Sequence, residues 1–151
     1  RAALSWNFVL ATAICASLLA QLIKVLLNLF IFHRFIAERM WGAGGMPSSH
    51  SATVCAMVVA TGRYCGVNSP LFAIAAVLSI IVMYDAMGVR YETGEQAKVL
   101  NRMFTEWMDQ GFEQFQLPHG KKLKEMVGHT PIEVVTGAAL GIVLGFAMPM
   151  V

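Results

Sequence analysis

The residues of this chain that are equipped for chemistry sit at the edges of long apolar runs. His129-Thr130-Pro131-Ile132-Glu133 puts a carboxylate four residues after an imidazole. On a helix that spacing brings the two side chains together, so Glu133 can accept a hydrogen bond from one ring nitrogen, fixing the tautomer and leaving the other as nucleophile or ligand. A plainer reading stands beside it: Thr130 as N-cap, Pro131 at the first helical position and Glu133 as the partner in a capping box. That reading has no use for His129. A second histidine follows Gly44-Gly45-Met46-Pro47-Ser48-Ser49 at position 50. Here Ser48 or Ser49 is a natural N-cap, and a helix start with free N–H groups can also hold a phosphate. Lys24 interrupts an apolar run and shares a helix face with Ser17, Gln21 and Asn28. It either belongs to a polar stripe facing a bundle interior or snorkels to the headgroups.

Asp85, Arg90, Gln96 and Asn101 make a further polar group, read as a fastening of ion pair and hydrogen bonds or as a phosphate subsite. Asp85 fits the fastening better, and Arg90 fits both. His33 and His119 have no partner at informative spacing and are read as ordinary surface residues. The three cysteines, Cys15, Cys55 and Cys65, are scattered and lack Cys-x-x-Cys spacing, so no disulfide framework or zinc site is expected. Ten methionines without Met-x-Met spacing read as packing, not as a copper site.

Apolar segments must position these residues. Of 151 residues, 57% are hydrophobic and 13% charged, with mean hydropathy +0.62. That composition points to a membrane protein built as a single domain over residues 1–151. A net charge of +2 is too small for a nucleic-acid footprint. Residues 4–32, 70–87 and 132–151 are long enough to cross a bilayer; residues 51–60 form a shorter apolar helix that crosses if neighbours bury it. Small residues at Gly137, Ala138, Ala139, Gly141 and Gly145 would let helices approach closely. Between the last two spans, Thr93 and Gln96 predict a capping box opening an amphipathic helix. Its face of Ala97, Leu100, Phe104, Trp107 and Met108 would rest on the membrane interface. A turn at residues 117–120 ends it, followed by Lys121, Lys122 and Lys124. If each span crosses once, residues 33–50 and 88–130 share one side. That side is also the more basic one, hence cytoplasmic or its equivalent. The chain opens at Arg1, which leads us to expect an upstream segment, a targeting peptide among the options.

On these residues the sequence resembles a known superfamily. The stretch His129-Thr130-Pro131-Ile132-Glu133-Val134-Val135-Thr136-Gly137 is similar to the H-x-P-S-D-V-x-x-G segment of the type 2 phosphatidic acid phosphatases. Pro47-Ser48-Ser49-His50 is similar to their P-S-G-H. The nearer likeness is to a divergent branch of small membrane proteins, labelled acid phosphatase or vanadium-dependent haloperoxidase related. Gly44 to Ala52, Tyr84-Asp85-Ala86-Met87-Gly88-Val89-Arg90, Gly94-x-Gln96-Ala97 and Leu100-Asn101 recur there in this order. The resemblance implies that His129 attacks phosphorus, that Glu133 stands in for the usual Asp as its orienting carboxylate, and that His50 is the general acid. It further implies that Ser48 and the N–H groups of Ser49 and His50 bind phosphate oxygens while Lys24 neutralises charge. No metal and no cofactor is needed. The chain departs from the pattern in three places: no Lys-x6-Arg-Pro segment exists, position 123 is Leu where a Ser-Arg pair is usual, and Arg90-Tyr91 replaces two arginines. Arg90, Lys122 or Lys124 would have to supply the missing charge.

The expectation is therefore an all-α integral membrane bundle of about four transmembrane helices plus an interfacial amphipathic helix. Its function is that of a lipid phosphatase acting on a monoester or diphosphate lipid such as phosphatidylglycerol phosphate, phosphatidate or polyprenyl diphosphate. The native membrane would be a bacterial inner membrane or an organelle membrane such as that of a plastid. The partners expected are the lipid substrate, membrane lipids and a second copy in a homodimer, with no nucleic acid. The rival is a non-catalytic membrane protein binding anionic lipid or a protein partner; a haloperoxidase is a weaker third.

Overall fold

A computed structural model of the chain describes residues 7–32, 45–110, 122–125 and 127–150. His33, Gly44, His119, Lys121 and the turn at 117–120 lie outside them. Among the described residues the fold is all-helical, with α1 Phe8–Phe32, α2 Ser49–Cys65, α3 Pro70–Met87, α4 Val89–Asp109 and α5 Pro131–Ala147. Helices α1 and α3 are long and apolar enough to cross a membrane, and α5 is a shorter apolar helix.

Packing in this bundle reverses the usual arrangement of large apolar side chains inside. The fully buried core is Ala16, Ala20, Ala52 and Ala56, flanked by Leu140 and Leu144. Leu18, Phe30, Ile74, Ile80, Val143 and Phe146 instead point outward and are well exposed. An exterior of that kind suits hydrocarbon rather than water, and close packing through small residues is how helices associate there. Helix α2 is the hub, packing on α1, α3 and α5.

The pairing of α2 with α5 explains the glycines of the last helix. A Cβ on Gly137 would collide with the backbone carbonyl of Ser48, one on Gly141 with that of Ala52, and one on Gly145 would come within 2.6 Å of Val59. Contacts step along both chains in the same direction, so α2 and α5 run parallel and begin at the same end. The Ser48 amide donates to the Glu133 carbonyl (3.0 Å), fixing the two starts against each other. At the far end, Arg63 donates to the carbonyls of Gly145 (2.6 Å) and Met148 (2.8 Å), meeting the unsatisfied acceptors where α5 finishes.

Helix boundaries follow local chemistry where a cap exists. Ser48 caps α2, its hydroxyl accepting from the Ser51 amide, so the helix runs from Ser49 to Cys65 and exceeds the short stretch read from hydropathy. Ser69 caps α3 with Pro70 at its start. The expected opening of α4 at a Thr93–Gln96 capping box does not occur. α4 starts at Val89, directly after Gly88, and the Thr93 hydroxyl donates back to the Val89 carbonyl (2.7 Å). The break that begins α4 is the end of α3, which sequence periodicity within α4 does not show.

Helix α4 also differs from expectation in its faces. Ala97 lies with Gly94 and Asn101 on a buried side, not on the face assigned to the membrane. The exposed apolar stripe is Val99, Leu100, Met103, Trp107 and Met108. Asn101 accepts from the Leu123 amide (2.9 Å) and donates to the Leu123 carbonyl (2.9 Å) and to Glu125 (2.7 Å). Further along, the carbonyls of Glu125 and Val127 would lie 2.7 and 2.8 Å from a Cβ on Gly94. The chain leading to His129 is thus laid along α4.

Candidate active site

Both histidines are delivered to one end of the bundle by elements already described. His129 ends the segment that α4 holds. Gly128 makes the last turn with φ +87°, a conformation that favours glycine, and a Cβ there would strike the backbone of Arg90 and Tyr91. The His129 amide then donates to the Ala86 carbonyl in the last turn of α3 (3.0 Å). His50 stands in the first turn of α2. The two rings face each other edge to face with centroids 6.2 Å apart.

The environments of the two rings differ. His129 is 3% exposed. Its Nδ1 pairs with Glu133 Oε2 at 3.1 Å, while its Nε2 is buried without a hydrogen-bond partner. An ionised carboxylate can only accept, so Nδ1 is the donor, and in the neutral ring the lone pair is on Nε2. Such an orphaned atom marks a place where a ligand or reacting group belongs. His50 is exposed at the mouth of the site, with His129, Arg90 and Lys24 close enough to act on it electrostatically.

Glu133 is the organising acceptor. Its Oε2 also takes the Thr130 amide (3.0 Å) and its Oε1 takes the Gly45 amide (3.2 Å). The capping role and the histidine-orienting role are performed by one carboxylate at once, and the same group pins the loop that precedes α2. Lys24 is 2% exposed, with its aliphatic stem against Gly45 and its ammonium within the field of Glu133. It does not snorkel. The polar-stripe reading holds, with Gln21 donating weakly to Ser49 (3.4 Å).

A pocket of about 160 Å³ lies between the two rings, lined by His50, Ile81, Val82, Asp85, Ala86, Arg90 and His129. Arg90 Nε is 2.6 Å from Asp85 Oδ2, so these two form an ion pair inside the pocket wall. Ser48 and Ser49 are buried and do not line the pocket. The Ser48 hydroxyl accepts from the Ser51 hydroxyl (3.1 Å) and amide (3.4 Å), and His50 is the residue of α2 that lines the pocket. Lys124 is exposed on the segment along α4 and does not line the pocket; neither does Lys122. Of the cations considered for the missing arginines, Arg90 reaches the pocket. Asn101 belongs to the scaffold and not to the pocket. A larger apolar groove of about 620 Å³ lies at the opposite end, by Phe8, Tyr64 and Leu71.

Comparison with known proteins shows the family. The uncharacterized membrane protein YuiD of Bacillus subtilis is 39% identical over 144 residues, covering 91% of each chain. No solved structure matches. The Divergent PAP2 family matches residues 5–144, which include both histidines, Lys24, Arg90 and Glu133. The chain is a membrane protein of the divergent PAP2 family.

Proposed function

We propose that this chain is a multi-pass membrane phosphatase that removes a terminal phosphate from a lipid through a phosphohistidine on His129. The observation that carries the reading is the buried, unpartnered Nε2 of His129, with Nδ1 tied to Glu133 and a pocket separating it from His50. Family membership supports a phosphatase-related chemistry, and an exterior of exposed aliphatic side chains supports a substrate met in the membrane.

The proposed reaction has two steps. The Nε2 lone pair attacks phosphorus, and the bond to the lipid oxygen breaks. As the ring acquires positive charge, Glu133 stabilises it across the short Nδ1 contact. Protonated His50 donates to the departing alkoxide, or to the departing phosphate of a diphosphate. It then returns as a base to activate the water that cleaves the phosphorus–nitrogen bond. Arg90, the first amides of α2 and the buried Lys24 balance the charge of the phosphoryl oxygens. Phosphatidylglycerol phosphate, phosphatidate and a polyprenyl diphosphate all present such a group at the interface.

The test is phosphate release from vesicles containing each of these lipids. Wild-type protein should hydrolyse at least one, His129→Ala should reduce turnover by a factor of 10³ or more, and vanadate should inhibit by occupying the pocket. Full activity in His129→Ala would remove the nucleophile. Absence of turnover on every lipid would favour a non-catalytic membrane protein that binds anionic lipid or a protein partner.

A further inference from the structure

The pocket contains a carboxylate that phosphoryl transfer by two histidines does not require. Asp85 lines it together with His50, Arg90 and His129, and its pairing with Arg90 at 2.6 Å spans the junction where α3 gives way to α4 at Gly88. Its side chain is 39% exposed, so it faces the opening instead of being sunk in the core. An ionised carboxylate accepts hydrogen bonds and cannot donate them. Any oxyanion entering beside it must bring a proton of its own or meet a like charge.

We infer, building on the phosphatase reading, that Asp85 is a specificity-determining residue that admits a terminal phosphate and rejects phosphodiesters. A phosphate monoester loses its second proton near pH about 6, so its monoanion still carries an O–H that can donate to Asp85 while a bare oxygen faces Arg90 and the phosphorus faces Nε2 of His129. The outer phosphate of a diphosphate has the same option. A diester has none: both of its free oxygens are acceptors, and with Arg90 and Asp85 side by side one of them meets the carboxylate. Arg90 alone would draw in any anionic headgroup; Asp85 beside it removes that indiscriminate attraction. Size acts in the same direction. About 160 Å³ is room for roughly five waters at ~30 Å³ each, enough for a phosphoryl group with one ester arm leaving through the mouth. An enzyme at a lipid interface is surrounded by diester lipids, and this pair of residues supplies the means to ignore them.

Binding of methyl phosphate and dimethyl phosphate to the full chain in nanodiscs at pH 6, followed by phosphorus NMR, tests the assignment without the steric contribution of long arms. Wild type should bind the monoester at least tenfold more tightly. Asp85→Asn should gain affinity for the diester and narrow the difference to threefold or less, because the amide both donates and carries no charge. Asp85→Glu should keep the wild-type preference, which guards against a mere folding effect. A preference unchanged in Asp85→Asn, or affinity for both ligands lost together, overturns the assignment, as does a wild type that binds neither. Phosphate release with an unchanged preference overturns the role of Asp85 and leaves the phosphatase standing. A narrowed preference without any phosphate release does the reverse, leaving a selective anion site on a non-catalytic protein.

Discussion

Replacing Glu133 by Gln separates the two tasks of that residue. As a helix cap, Gln at the third position is nearly as good as Glu, so the start of α5 should persist and thermal unfolding should shift little. As the partner of His129 the change is severe. Attack by Nε2 places a positive charge on the ring, and the carboxylate oxygen lies 3.1 Å from Nδ1. Two unit charges at that separation and an effective dielectric constant of 20 attract by about 5 kcal/mol. The Glu133 side chain is 19% exposed, so screening is partial, and a loss of about 3–5 kcal/mol in the transition state corresponds to a 10²- to 10⁴-fold lower rate. Glu133 does not line the pocket, so KM should change by less than about threefold while kcat carries the loss. Steady-state kinetics on a lipid monoester in mixed micelles gives both numbers. Turnover within threefold of wild type, or a loss found wholly in KM, would refute the claim that a carboxylate supports charge on His129.

Two further outcomes follow from the scaffold. Asn101→Ala removes three hydrogen bonds that hold residues 123 and 125 to α4, a loss of about 2–4 kcal/mol. Hydrogen exchange in the peptide spanning 122–129 should accelerate roughly 30- to 1000-fold, with α5 little changed; equal protection in both proteins would show that α4 does not hold the segment. Gly137→Ala drives a methyl group into the Ser48 carbonyl and should destabilise the bundle by about 1–3 kcal/mol, read as a lower unfolding temperature in detergent. The exposed Ala139→Gly serves as a control, and an unfolding temperature unaffected by the glycine change would mean that α2 and α5 are not in backbone contact.

Local chemistry made the ends of the bundle legible in the sequence. Ser48, Thr130, Pro131 and Glu133 announce helix starts through interactions that span three or four residues, and the His129–Glu133 pair lies within one turn. The apolar runs were equally plain, since lipid-facing helices need large side chains outward and their pattern is simple hydropathy. What stayed hidden depends on residues far apart in the chain. Asn101 reads as a generic polar residue until Leu123 and Glu125 are laid beside it. The start of α4 is set by the termination of α3 at Gly88, not by Thr93. Whether Lys24 snorkels or is buried turns on Gly45 covering its stem, a contact across 21 positions that helix periodicity cannot predict. Lys124, chosen for its charge and its nearness to His129 in sequence, lies outside the pocket because the extended segment along α4 carries it away. The signal that could have found the clamp is Gly94 and Ala97, two turns and one turn before Asn101, three small or polar positions on one face of an otherwise bulky helix.

The central claim is a covalent bond between phosphorus and one ring nitrogen. Wild-type protein mixed with a lipid whose terminal phosphate is labelled with ³²P, quenched within milliseconds in alkali and digested, should yield a labelled peptide containing position 129, with the label lost in acid as a phosphoramidate requires. His129→Ala should yield none, and His50→Ala should accumulate more label than wild type if its release by water is slowed more than its formation. Substrate turnover that leaves no label on His129 at any quench time would contradict the account.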